Sequence, residues 1–275
     1  MLFCCSGSLV KKWIINKSGG VLMKLSLRQK VMSVLLAVYW ITIFTLAHRP
    51  IPQWVYEAQV SDKSIHFIVY LILVFLLWFS VRPGAKVNWR KAAVWWIVLV
   101  MAVYAAADEI TQGYVGRQCD FTDFLADMAG TFAGLIMFGF LSFWPGLLAV
   151  ISISIFGITN LARADVSKLM PVGDAVFHIV AYAALTAVWL KVMGSFTPHH
   201  RRDVKRLAAA LAGPMAFLLF VKASSAALGR YFQWSGVLVC LAAILIVAVA
   251  GQSASLASRT DDSAKTPRRK DSVSS

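Results

Sequence analysis

The sequence predicts an all-α fold: a polytopic transmembrane helix bundle of about eight spans, built as two parallel four-helix repeats with both termini cytoplasmic. Three observations predict it. Of 275 residues, 59% are hydrophobic and only 15% charged, and the mean hydropathy is +0.70, which is too apolar for a soluble globular domain. About eight runs approach the roughly 20 apolar residues that a helix needs to cross the hydrocarbon core. Finally, the Asp-x-x-x-His-x-x-x-Tyr spacing in "SDKSIHFIVYLILVFLLWFS" returns in "DAVFHIVAYAAL", as an internal repeat does.

The spans are expected at about 31–47, 64–80, 92–112, 124–141, 145–160, 175–193, 207–225 and 233–250. Lys24, Arg28 and Lys30 precede the first run, as they would in a signal peptide. His48-Arg49-Pro50 follows it instead of a small-residue cleavage site, so it reads as an uncleaved anchor. "SFWPGL", between the fourth and fifth spans, carries no charge, and its Pro145-Gly146 marks a tight turn. Placing Asp62, His66 and Tyr70 on Asp174, His178 and Tyr182 matches the second span to the sixth, and therefore spans one to four to spans five to eight. Four spans return the chain to its starting side, so the repeats are parallel. The organisation expected is an N-terminal cytoplasmic segment over 1–30, four-helix units over 31–141 and 142–250, and a disordered Ser-rich cytoplasmic tail over 251–275. Met23, directly before "KLSLRQKVMSVLLAVYW", is a candidate start residue.

The charge pattern fixes the expected orientation. Twenty-seven Lys and Arg against thirteen Asp and Glu give a formal charge of +14, which in a soluble chain would point to nucleic acid. Here the cations concentrate in the tails and alternate loops: Lys11, Lys12 and Lys17 near the start; Arg82, Lys86, Arg90 and Lys91; His199, His200, Arg201, Arg202, Lys205 and Arg206; and Arg268, Arg269 and Lys270. That is the positive-inside pattern, so the partner it implies is a lipid bilayer and no nucleic acid. The intervening loops hold Glu57, Asp62 and Lys63; Arg117, Asp120 and Asp123; and Arg163, Asp165, Lys168 and Asp174. These face the extracytoplasmic side. Cys4, Cys5, Cys119 and Cys240 have no metal-type spacing and imply no disulfide framework.

The acids at that side carry the chemistry. Residues four apart share a helix face, so Asp62, His66 and Tyr70 form one stripe entering the membrane. Asp62 is placed to orient His66, although an N-cap with a structural histidine has the same pattern. The third span ends in Asp108, Glu109 and Gln112; two acids at membrane depth cost about 2.5–3.5 kcal/mol each on insertion scales. They need partners unless they stand in interfacial water, and Arg117 and His66 are the nearest candidates. In "CDFTDFLADMAG", Asp123 and Asp127 share a stripe with Gly130 and Gly134, whose small-xxx-small spacing permits close packing. The acids on that stripe therefore point into the bundle. His66, Asp62, Asp108, Glu109, Gln112, Arg117, Asp120, Asp123 and Asp127 are thus candidates for one extracytoplasmic cavity. Such a cluster can hold a divalent cation, perform acid/base chemistry, or lock helices together. One imidazole among several carboxylates suits Mg, Mn or Ca better than a His-rich zinc site. The second half has Ser224 and Ser225 near where Asp108 and Glu109 stand, so it reads as a degenerate copy serving as scaffold.

The series "DKSIHFIVYLILVF" and "VYAAADEITQGYVGRQCDFTDFLADMAGTFAG" resembles the VanZ-like family of small bacterial membrane proteins, named for a teicoplanin-resistance component. The family's pattern is Asp-Lys-x-x-His near the second helix, Asp-Glu-x-x-Gln after the third, then Arg and Asp-x-x-x-Asp leading into a glycine-rich fourth. Asp62, Lys63, His66, Asp108, Glu109, Gln112, Arg117, Asp123, Asp127 and Gly130 occupy those positions. The resemblance covers about 31–141; it departs at "RQCDFTD", where a longer glycine-containing turn is expected before the Arg. It implies a bacterial inner-membrane location and an envelope-related role, such as lowered glycopeptide sensitivity or handling of a lipid-linked envelope precursor. Two other classes fit the residues. One is a metal-assisted or acid/base hydrolase or transferase, with His66 and Glu109 moving protons, Asp62 orienting His66, and Lys63, Asp108, Gln112, Arg117, Asp123 and Asp127 binding. The other is a small-molecule transporter between parallel repeats, for which Gly213-Pro214 is the one candidate helix break.

Overall fold

Helix ends fall where capping groups and breakers put them, which is not always where hydropathy drops. In the structure, a computed structural model that describes residues 26–49, 57, 61–114, 120–161, 166–194, 203–229 and 234–265, eight helices are long and apolar enough to cross a membrane. They are α1 (Leu27–Ala47), α2 (Asp62–Val81), α3 (Ala92–Tyr114), α4 (Phe121–Phe140), α5 (Phe143–Leu161), α6 (Pro171–Gly194), α7 (Asp203–Ala227) and α8 (Trp234–Lys265). A single helical turn, Val166–Leu169, precedes α6, and the described residues contain no strand. The protein is a multi-pass helical membrane protein.

Each expected span has its helix, and the differences lie at the ends. Ser26 caps α1 four residues before the expected start, its hydroxyl accepting from the Gln29 amide while the Gln29 side chain returns to the Ser26 backbone, a reciprocal capping box. Asp120 caps α4 by accepting from the Thr122 amide at 2.8 Å. α3 ends at Tyr114, two residues past the expected end, and the packing of its last turns is most consequential, because it carries Asp108, Glu109 and Gln112 inside the bundle. At the far end, α8 runs on through 251–265, where a disordered tail was expected. From Gln252 to Thr266 the sequence has neither Gly nor Pro, so polarity there ends membrane insertion without ending the helix. Met23, Arg117, Arg163, Asp165, His199 to Arg202 and Arg268 to Lys270 lie outside the described residues.

α2 is the central helix of the first half, packed against α1, α3, α4 and α5, with its most extensive contact to α4. Tyr70, Leu71, Leu73, Val74, Phe75 and Phe79 form its buried core, while α1 turns Val34, Val38 and Ile41 outward, as a lipid-facing helix does. Gly130 and Gly134 make the α2–α4 approach possible. A Cβ at Gly130 would strike the Phe67 carbonyl oxygen, and one at Gly134 would lie 2.5 Å from Val74 Cγ1. α6 is central to the second half, touching α5, α7 and α8.

The α2–α3 loop sits at the opposite end from Asp62. Its Val87 amide donates to the Phe138 carbonyl at 3.0 Å, and Arg28 reaches the Pro83 carbonyl at 3.2 Å and lies over the Phe143 ring at 4.7 Å. A cavity of about 540 Å³ lined by Trp78, Arg82, Lys86, Trp89, Arg90 and Lys91 opens there, well away from the acids.

Candidate functional site

Three helix ends supply the site: the first turns of α2 and α4 and the last turns of α3. Because Gly130 lets α2 and α4 touch along their backbones, the residue one turn above it, Asp127, faces the first turns of α2. Its Oδ1 stands 2.9 Å from His66 Nδ1. Asp127 is fully buried, at 0% exposure, and His66 nearly so. With the carboxyl ionised, Nδ1–H donates to Asp127, so the carboxylate fixes both tautomer and ring plane. Asp62, expected to orient His66, stands farther off: its Oδ1 is 3.9 Å from Nε2 and its side chain is 53% exposed. A one-turn spacing within a helix places two side chains on a face without aiming one at the other, and the ring turned to the neighbouring helix instead.

α3 contributes Asp108, Glu109 and Gln112, which are 7%, 4% and 3% exposed. They are packed among helices, so the interfacial-water reading fails for them. Gln112 Nε2 donates to Asp108 Oδ2 at 2.9 Å, and the Asp120 amide donates to Glu109 Oε2 at 3.2 Å. No donor among the described residues reaches Glu109 Oε1 or Asp127 Oδ2, both buried. Arg117, the expected partner of these acids, lies outside the described residues.

Lys63 holds the rim. Its ammonium donates to Asp120 Oδ2 at 3.1 Å, to Asp123 Oδ1 at 3.3 Å and to the Thr122 hydroxyl, clasping the start of α2 to the start of α4. Hydrogen bonds from Thr122, then the Lys63 ammonium, hold the Asp120 carboxyl down at about 2, below its ordinary 3.8. A depressed carboxyl stabilises the fold above its unfolded value and loses that contribution as pH falls through its folded one, so the Asp120 contribution persists through neutral pH and fades from about 4 to about 2. Lys63→Met is expected to raise the Asp120 midpoint toward its ordinary value while the protein still accumulates, because the clasp is exposed and screened. Carboxyl-carbon NMR titration with selective labelling reads it; an unmoved midpoint would mean that the clasp is absent.

Some participants escaped the sequence reading. Thr131, one turn beyond Asp127 on the same stripe, is fully buried with a hydroxyl that has no partner among the described residues; its i+4 spacing was the available signal. Tyr70, expected on the His66 stripe, has a buried, unpartnered hydroxyl and stacks on Tyr104 at 5.9 Å. His48 Nε2 lies 2.7 Å from Thr111 Oγ1, tying the end of α1 to α3, and no spacing within one helix could have signalled it.

In the second half His178 takes the position of His66, but its Nδ1 bonds the Asp174 backbone carbonyl at 2.8 Å in its own helix. Its Nε2 has no partner among the described residues. Among the described residues, no carboxylate from a facing helix is paired with this imidazole.

These features define a class: a multi-pass helical membrane protein with a buried imidazole–carboxylate cluster at one end of its first four spans. Residues 11–142 match the model of the family described as VanZ/LLP1, and that segment, which contains every residue of the cluster, is similar to this family. Searches of curated proteins and of solved structures found no match.

Proposed function

We propose that this VanZ-like protein acts at the cell envelope from the bacterial inner membrane, with both termini cytoplasmic and the α2–α3–α4 cluster at the extracytoplasmic surface. There it handles the polar part of a lipid-linked envelope precursor, lowering glycopeptide sensitivity as one consequence. The observation that carries this is the buried His66–Asp127 contact at 2.9 Å beside a buried Glu109 oxygen that has no donor among the described residues. A bundle that only needed to pack would fill these positions with apolar side chains, since buried ion pairs are poor stabilisers compared with hydrophobic replacements. His66 and Glu109 are the proton-transfer groups of this reading, with Asp127 as the positioning residue for His66.

Two features support the parallel-repeat arrangement behind the orientation. The helix pairs in contact in the first half are α1–α2, α2–α3, α2–α4, α3–α4 and α1–α3; those in the second are α5–α6, α6–α7, α6–α8, α7–α8 and α5–α7, the same set shifted by four. His66 and His178 stand at matching places in the two central helices. Transport between the halves has less support: α7 continues as one helix through Gly213-Pro214, and the acids gather at one end of the bundle, away from mid-depth.

The test is a deletion strain complemented with wild type, His66→Ala or Glu109→Gln. Wild type is expected to restore the glycopeptide sensitivity and envelope-lipid profile of the parent, and each variant to fail while accumulating in the membrane at wild-type level. A deletion strain indistinguishable from its parent in both measurements sinks the envelope reading; variants that restore both profiles sink the assignment of the two residues.

A further inference from the structure

We propose that His66, Glu109 and Asp127 form a binding site for one divalent cation of the oxygen-preferring class, for which Mn²⁺ is the best-matched probe. The inference names a ligand for the cluster described above and so rests on reading that cluster as a working site.

Buried negative charge gathers at the cluster. Glu109, Asp123 and Asp127 are all buried, and among the described residues Lys63 pairs with Asp120 and Asp123 at the rim. Among the described residues, no lysine or arginine is paired with Glu109 or Asp127. A buried ionised carboxylate without a counter-charge is costly. Here two such groups face one imidazole, and each keeps an oxygen that receives no hydrogen bond, Glu109 Oε1 and Asp127 Oδ2. An oxygen that lacks a donor in the protein interior is an oxygen available to a metal.

The spacing agrees. One ligand atom from each of His66, Glu109 and Asp127 lies within 4.8 Å of the others. With metal–oxygen bonds of about 2.0–2.6 Å, two ligands of one ion stand at most about 5 Å apart, so the three atoms converge without moving a helix. One turn deeper, the unpartnered hydroxyls of Tyr70 and Thr131 are suited to bind waters carried by the ion. One nitrogen among oxygens favours Mn²⁺ or Mg²⁺ over the nitrogen- and sulfur-rich surroundings that select zinc.

A second group, Asp62, His66 and Asp123, also brings its ligand atoms within 4.8 Å, but it is a poorer site. Asp62 is more than half exposed, and Asp123 already has the Lys63 ammonium at 3.3 Å, which would repel a second cation. Among the described residues of the second half, Asp174 is the one carboxylate paired with His178.

The experiment uses the full chain in detergent or lipid nanodiscs, stripped with EDTA and dialysed against Mn²⁺. About one Mn²⁺ per chain is expected by elemental mass spectrometry, with a rise in unfolding temperature that EDTA reverses. Glu109→Gln and Asp127→Asn should each weaken Mn²⁺ binding at least tenfold, whereas Asp174→Asn, beside His178 in the second half, should leave it unchanged. Should either amide variant fail to fold, electron spin-echo measurements on Mn²⁺-loaded wild type provide the test, because an imidazole ligand adds a ¹⁴N modulation. No stoichiometric Mn²⁺ on a folded wild-type protein, no ¹⁴N modulation, or binding untouched by both amide variants overturns the proposal. Mn²⁺ binding in a protein whose deletion leaves the envelope unaltered would remove the envelope reading and leave the cation site standing; an envelope phenotype without Mn²⁺ binding would do the reverse.

Discussion

Asp127→Ala is expected to destabilise the protein by about 3–5 kcal/mol, the usual range for removing one partner of a buried charge pair, and to abolish function. The side chain is fully buried and takes the His66 Nδ1 hydrogen bond at 2.9 Å. Alanine leaves the imidazole facing a void with nothing to accept its proton. Relief of repulsion from neighbouring acids offsets little of this, because Asp108 keeps the Gln112 amide and Glu109 keeps the Asp120 amide. Asp127→Asn retains an acceptor and about the same volume, so its stability loss should be nearer the roughly 1 kcal/mol of one ordinary hydrogen bond. Function should still fall, since the amide carries no charge. Unfolding midpoints in detergent, read beside complementation, separate the two variants. An alanine variant as stable as wild type would show that the His66–Asp127 contact does not hold the bundle.

The second large effect is expected at Gly130. A Cβ there would strike the Phe67 carbonyl oxygen, with Phe67 C at 3.1 Å and Leu71 N at 3.2 Å. All three atoms belong to the α2 backbone and cannot rotate aside, so α4 must move away from α2. Overpacking of this kind usually costs about 1–3 kcal/mol and occasionally more; with backbone as the obstacle, Gly130→Ala should reach the upper end and Gly130→Val exceed it. Gly134→Ala should cost less, since its obstacles, Val74 Cγ1 at 2.5 Å and Leu71 Cδ1 at 3.3 Å, belong to side chains that can shift. Membrane accumulation and unfolding midpoint should rank wild type above Gly134→Ala, and Gly134→Ala above Gly130→Ala. The reverse order for the two glycines would mean that α2 and α4 do not meet along this line. Any separation there also draws His66 from Asp127, so function should fall with stability at Gly130.

The eight spans and the stripe on α4 were legible because both depend on residues close in sequence. Twenty or so apolar residues leave a chain few options in lipid, where a helix satisfies every backbone group within its own segment. Glycines and acids four apart share a face in any helix. The helix ends were less legible. Hydropathy reports how deep a residue sits, while the end of a helix depends on caps and breakers, so Ser26 and the Gly- and Pro-free stretch after Gly251 moved the boundaries of α1 and α8. The end of α3 moved by only two residues; what left Asp108 and Glu109 inside protein is the packing around its last turns.

By itself the sequence determined a multi-pass helical bundle and gathered His66, Asp108, Glu109, Asp123 and Asp127 at one end of three helices, since apolar length and helical period are properties of a single segment. Only the tertiary structure decided that His66 turns to Asp127 and leaves Asp62 at the surface, that Lys63 is occupied at the rim by Asp120 and Asp123, and that Glu109 and Asp127 each keep a buried oxygen without a donor among the described residues. The physical reason is that these are relations between helices. A side chain's partner depends on the rotation and separation of neighbouring helices, set here by the missing Cβ of Gly130, and no spacing within one helix contains that information.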